Sequence, residues 1–246
     1  MPRYSVWPFL VWASLALLLP GAGRADSFTQ SQRAEIVAIL RDALRTDPSI
    51  LRDAIDGLRQ DEASRQEAAA RAAVAEVGPA LANASDPAAG NPSGDVTVVE
   101  FYDLRCPYCR AMQPVTASLL THDGGVRWVY KDIPVLGPAS QLAARAALAA
   151  QRQGGYGKFH DAVMLGTPNV TPDVLRAAAE RSGLDWSRMQ RDMDDPAIAA
   201  RLDANLALAR RLGIDGTPAF VVGGRLLAGA MDEASLQAAV SAARSH

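Results

Sequence analysis

The sequence predicts an α/β domain preceded by an amphipathic helical segment, and three observations carry the prediction. Val96-Thr97-Val98-Val99-Glu100-Phe101-Tyr102 is β-branched and aromatic, and a helical stretch from Pro107 to about Leu120 follows it closely. Between Phe28 and Val77 the apolar residues recur at intervals of three and four, the period of a helix with one apolar stripe. Gly78-Pro79, Asp86-Pro87, Gly90 and Asn91-Pro92 cluster turn formers between the two. The chain has 246 residues, 49% of them hydrophobic, and only 2 cysteines, which excludes a small disulfide-stapled scaffold. A formal net charge of -2 gives no field to hold phosphate backbones, so nucleic acid is not an expected partner.

In chain order, Pro2-Arg3-Tyr4 makes a short positive start and Val6 to Leu19 an apolar run, ended by Pro20-Gly21. Gly23-Arg24-Ala25 puts small residues where a signal peptidase reads, so residues 1–25 are expected to be a signal peptide cleaved after Ala25. The run is shorter than the ~20 residues needed to span a bilayer. Its removal takes away Arg3 and Arg24 and no acid, leaving a more acidic chain that keeps both cysteines. The expected location is the periplasm, where disulfides persist.

Residues 26–78 read as a helical segment. Ile36, Leu40 and Leu44, then Leu51, Ile55 and Leu58, set two helices of about 29–45 and 48–76. Asp47 suits the cap of the second, and Pro48 its first turn, where a missing N–H costs nothing. The stripe is too narrow to close a core alone. It needs either the following domain or the same helices of another chain, and a homo-oligomer through residues 28–77 is the expectation. Residues 79–94 read as a linker. Within residues 95–246, Val126 to Ile133 is a second strand, three or four Ala-rich helices run through 139–212, and Ala219–Val222 and Arg225–Leu227 form a hairpin around Gly223-Gly224. A final helix spans 232–243.

Both cysteines lie in Cys106-Pro107-Tyr108-Cys109, between the first strand and its helix. A cysteine at a helix N-cap faces unpaired N–H groups and the positive dipole end, which stabilises its thiolate, so Cys106 is the expected nucleophile. Three residues of helix bring Cys109 to the same face as the resolving thiol. Pro107 fits the first helical position, and Tyr108 separates the pair without adding charge. A structural disulfide closing so short a loop would stabilise little. A zinc site would need four ligands, and His122, His160 and His246 have no ligand spacing with the motif. Cu(I) can be held by two thiolates, so a metal at Cys106 and Cys109 stays as an alternative, with no other cofactor expected.

These residues carry a resemblance. Val98–Tyr102 leading into CPYC, with Gly216-Thr217-Pro218-Ala219-Phe220 far downstream, resembles the DsbA family over roughly residues 95–244. Residues 28–77, with Lys131–Pro138 and Gly157–His160, resemble the ScsC-like group, the suppressor of copper sensitivity proteins. The resemblance implies a thioredoxin fold with an inserted helical domain. It implies that Pro218 is a cis-proline beside the motif, with Thr217 offering backbone groups to an extended substrate. It also implies that Glu100 is a buried acid beneath the active site, relaying the proton of Cys109. A buried carboxylate needs a partner, and Lys131 is the candidate, the alternative being a solvated lysine. His160 reads as structural, and the scattered methionines as core filler.

The implied activity is thiol-disulfide exchange on unfolded or misoxidised exported proteins, with a membrane redox partner to reset the thiols. Three readings stand: an oligomeric isomerase or reductase, a monomeric dithiol oxidase, and a thiol-based copper-binding protein in copper tolerance.

Overall fold

A computed structural model describes residues 28–245, so the expected signal peptide lies outside the described residues. The chain divides into two units, 1–59 and 60–246. In the first, α1 (Gln30–Thr46) starts with a reciprocal cap in which Thr29 accepts from the Gln32 N–H and the Gln32 side chain accepts from the Thr29 N–H. Asp47 then accepts from the Ser49 N–H at 3.0 Å, as its residue type foretold, opening α2 (Ser49–Val77), of which residues 49–59 belong to the first unit and 60–77 to the second. No residue of α1 is buried. Ile36, Leu40, Leu44, Leu51, Ile55 and Leu58 all stand exposed, so this stripe has no partner within its own unit.

The second unit is built on a five-stranded sheet. Its strands are β1 (Ala88–Gly90), β2 (Val96–Tyr102), β3 (Val126–Asp132), β4 (Ala219–Val222) and β5 (Arg225–Ala228), in the order β1-β3-β2-β4-β5. β2 and β3 are parallel, joined by α3 (Pro107–His122), and every other pair is antiparallel. Gly223 and Gly224 turn the β4–β5 hairpin at φ of 54° and 79°, a left-handed pair that glycine adopts without strain.

The two faces of β2 pack against different cores, as its apolar residues of both parities require. Val98 and Tyr102 face one core with Trp128, Phe220 and α9 (Glu233–Arg244); Val99 and Phe101 face the other with Val129, Val221, Val74 and Val77. The insertion between β3 and β4 holds five helices, one more than the upper expectation: α4 (Pro138–Gln151), α5 (Tyr156–Met164), α6 (Pro172–Arg181), α7 (Trp186–Met193) and α8 (Pro196–Arg211). Short breaks capped by Thr171, Asp185 and Asp195 divide what composition alone reads as fewer segments.

The stretch 79–94 departs from the expected linker. Leu81 and Asp86 are buried, and residues 88–90 add an antiparallel edge strand to β3. Its turn formers shape a docked connection, because Asp86 finds cations inside the domain that no local pattern announces.

Candidate active site

Cys106 occupies the N-cap of α3 in extended backbone (φ -67°, ψ 123°) with Pro107 in the first turn. Its amide donates to the Asp103 carbonyl at 3.0 Å, and its Sγ donates to the Thr217 carbonyl at 3.3 Å. Thr217-Pro218 is the cis peptide that the motif implied. The structure thus brings together residues 111 positions apart. Cys109 is fully buried one turn along α3, and burial pushes its thiol well above the usual range, with the charge of Glu100 adding to the shift. Tyr108, between the two cysteines, is exposed.

Glu100 lies buried on β2, and burial raises its carboxyl to about 8, opposed by one hydrogen bond from the Trp128 indole at 3.0 Å. Its Oε1 has no partner. Lys131 is not that partner. Its ammonium donates to Asp86 at 2.7 Å and to the Ala80 carbonyl at 3.0 Å, so it is neither solvated nor near the active site's acid. Strand parity is the reason: Glu100 pairs in register with Tyr130, and Lys131 points to the opposite face.

Two arrangements were missed in the sequence. Asp103 accepts from the amides of Arg105, Val135 and Leu136 and from the Ser140 hydroxyl, all within 3.0 Å, holding the turn before Cys106. Its signal was an Asp two residues before a polar amide, the pattern of an Asx turn. Deeper, Asp132 accepts from Tyr102 at 2.7 Å and Tyr156 at 2.8 Å, tying the insertion to the strands; burial raises its carboxyl. His160 is buried with its ring stacked on Tyr156, in keeping with a structural residue. Met112 is buried in the core, as filler would be.

Among the described residues, no group of three or more His, Cys, Asp or Glu gathers to hold a metal, and no helix is long and apolar enough to cross a membrane. The geometry offers a buried thiol at a helix N-cap, a second thiol one turn along the helix, and the Thr217 carbonyl bonded to the first. Such a pair can exchange electrons with a disulfide.

Known proteins are similar to this chain in sequence and fold. The model of the DSBA-like thioredoxin domain matches residues 97–241, and that of the copper resistance protein ScsC N-terminal domain matches residues 32–69. A thioredoxin-like oxidoreductase from Silicibacter pomeroyi is 43% identical, with a TM-score of 0.67 over 69% of this chain and 98% of that one. A linker-deleted, mutant ScsC from Proteus mirabilis is 26% identical, with a TM-score of 0.67 over 90% and 99%. Among curated relatives, the Na(+)/H(+) antiporter NhaA 3 of Salinispora tropica is 36% identical over 150 residues, which are 60% of this chain and 23% of the antiporter. The chain therefore spans about a quarter of the length of the first such relatives. With its CPYC turn, its cis-proline and a family match over more than half its length, the chain belongs to the DSBA-like thioredoxin-domain family.

Proposed function

We propose that the protein is a periplasmic thiol-disulfide oxidoreductase acting on protein disulfides, as an oligomeric isomerase or reductase. The observation that carries the reading is the Cys106 thiol at a helix N-cap, bonded to the carbonyl that precedes a cis-proline. The Cys106 thiolate attacks one sulfur of a substrate disulfide, the old S–S bond breaks, and the other substrate sulfur leaves as a thiolate. In the mixed disulfide, either a different substrate thiolate attacks the substrate sulfur bonded to Cys106, forming a new bridge and expelling the Cys106 thiolate, or Cys109 gives up its proton, attacks Cys106 and releases reduced substrate. Glu100, an acid rising to about 8, is suited to take that proton. Thr217 and Pro218 present an extended edge to substrate backbone.

The uncovered stripe of Leu40, Leu51 and Leu58, and the match of residues 32–69 to an ScsC N-terminal domain, support self-association through 28–77. Joined catalytic units raise the local concentration of thiols around one substrate. A membrane partner would restore the reduced pair.

Recovery of a scrambled-disulfide test enzyme decides the direction. The full chain reactivates it, and a Leu40→Asp, Leu51→Asp variant, monomeric by sedimentation, does not. Oxidation of reduced substrate by both, with reactivation by neither, would establish the oxidase instead. Cys109→Ala traps mixed disulfides with client proteins; a variant that traps none yet loses Cu(I) binding would establish the copper reading, for which the N-terminal match is the support.

A further inference from the structure

We propose that His160 and Asp161 form a proton outlet that carries the proton of Glu100 past Tyr130 to solvent, so that Cys109 can lose its proton and later regain it inside a dry core. The inference rests on the exchange reading above and adds to it residues that serve the proton rather than the sulfur.

Cys109 and Glu100 are both buried, so a proton exchanged between them lies out of reach of bulk solvent. His160 packs as a structural residue would, yet its two nitrogens have different surroundings. Nδ1 lies 3.2 Å from Oδ1 of Asp161, a side chain 59% exposed, whereas Nε2 is buried without a partner. A carboxylate only accepts, so in the neutral ring Nδ1 carries the hydrogen and Nε2 is a bare acceptor in the interior. Glu100 presents the complement. The Trp128 indole donates to Oε2, which leaves the carboxyl hydrogen to the unpartnered Oε1. Strand parity sets both groups on one face of the sheet, where α5 covers Tyr102 of β2 and Tyr130 of β3. Of the three tyrosines around His160, Tyr102 and Tyr156 give their hydroxyls to Asp132, on which the charge of Arg201 acts from α8. Tyr130 pairs in register with Glu100 and brings its ring centroid within 4.7 Å of the imidazole, the nearest of the three. Burial, then the charges of Glu100 and Asp161, push its phenol far above the ordinary range, so it stays a neutral hydroxyl within reach of both acids' fields.

Each step moves a proton and no electron. Because Glu100 holds its proton up to about 8, it must shed that proton near neutrality before it can accept the one from Cys109. The carboxyl passes its hydrogen to the Tyr130 oxygen as the phenol passes its own to Nε2, and Nδ1 releases its hydrogen to Asp161 and water. The ring is left as the other tautomer, with hydrogen on Nε2. When an external dithiol later reduces the Cys106–Cys109 bond, the Cys109 thiolate needs a proton; the same path run backward supplies it and restores the first tautomer. Imidazole suits the task because its two nitrogens exchange donor and acceptor roles near neutral pH.

The test mixes the reduced full chain with a peptide disulfide in a single turnover and follows, by acid quench, formation of the mixed disulfide and then its resolution by Cys109. In the wild type the resolution rate rises as pH passes about 8. Well below that pH, His160→Gln lowers resolution about a hundredfold, the low end for a positioned acid–base group, and Tyr130→Phe about tenfold. Asp161→Asn lowers it about threefold, because water reaches that end of the path. The losses shrink above about 8, where Glu100 has already shed its proton. Imidazole added to His160→Ala restores resolution and leaves the wild type unchanged. Wild-type resolution in both Tyr130→Phe and Asp161→Asn would overturn the outlet, whether or not the His160 variants fold. Losses equal at every pH and unanswered by imidazole would assign these residues to packing alone and overturn it as well. In either case attack on the peptide disulfide persists and the exchange reading stands, whereas a wild type that attacks neither the peptide nor oxidised glutathione would sink that reading itself.

Discussion

Two buried carboxylates on opposite sides of one sheet have opposite fates. Asp86 accepts from Lys131 at 2.7 Å, from the Arg201 guanidinium at 3.0 Å and from the Asn83 amide at 2.8 Å, so its charge is matched and it fastens the segment before β1 to β3 and α8. Glu100 has one indole N–H and a bare oxygen, and no cation pairs with it among the described residues. A charge with partners builds structure; a charge denied them becomes a proton store. The comparison separates an acid matched by cations from one left with a single donor, where composition sees two equivalent residues.

The largest effect expected tests the paired side. Lys131→Met leaves Asp86 buried with half its cationic support and lowers stability by about 3–5 kcal/mol in urea unfolding, while the pH dependence assigned to Glu100 stays in place. A loss below ~1 kcal/mol would erase the distinction between the two acids. Next, Glu100→Gln stabilises the protein by on the order of 1–3 kcal/mol at pH 8 and not at pH 4. The sign follows from the unfolded chain releasing this proton near 4.5 and the folded chain holding it to about 8, so the native state binds more protons between those values and stability falls as pH rises through the window. In the same variant the mixed disulfide with a peptide decays more slowly, because Cys109 loses its proton acceptor. Trp128→Phe removes the one bond to Glu100, costs about 1 kcal/mol, and shifts the upper end of that window to higher pH, readable by nuclear magnetic resonance titration of the carboxyl. Smallest is Asp56→Ala, which breaks an exposed pair with Arg59 and leaves the thermal midpoint unmoved.

Much of the site was legible because its signals are local. A β-branched run, a CPYC at the junction and a distant TPAF stand in neighbouring letters, and Cys106 does take the N-cap position, though its thiol bonds the Thr217 carbonyl and makes no side-chain bond to the helix N–H groups. Lys131 was misread because its partner lies 45 residues away and strand parity, not nearness in sequence, chooses the face. The segment 79–94 was misread for the same reason: proline and glycine announce turns, not whether the turns dock.

By itself the sequence determined the periodic elements, the CPYC turn and the apolar helical stripe, since propensity, capping and spacing act over a few residues. Only the tertiary structure decided which acid is neutralised, which loops Asp103 and Arg110 hold against the motif, and that Cys109 and Glu100 share a dry interior. Desolvation and long-range pairing depend on what the whole chain brings together, and no single stretch of residues encodes them.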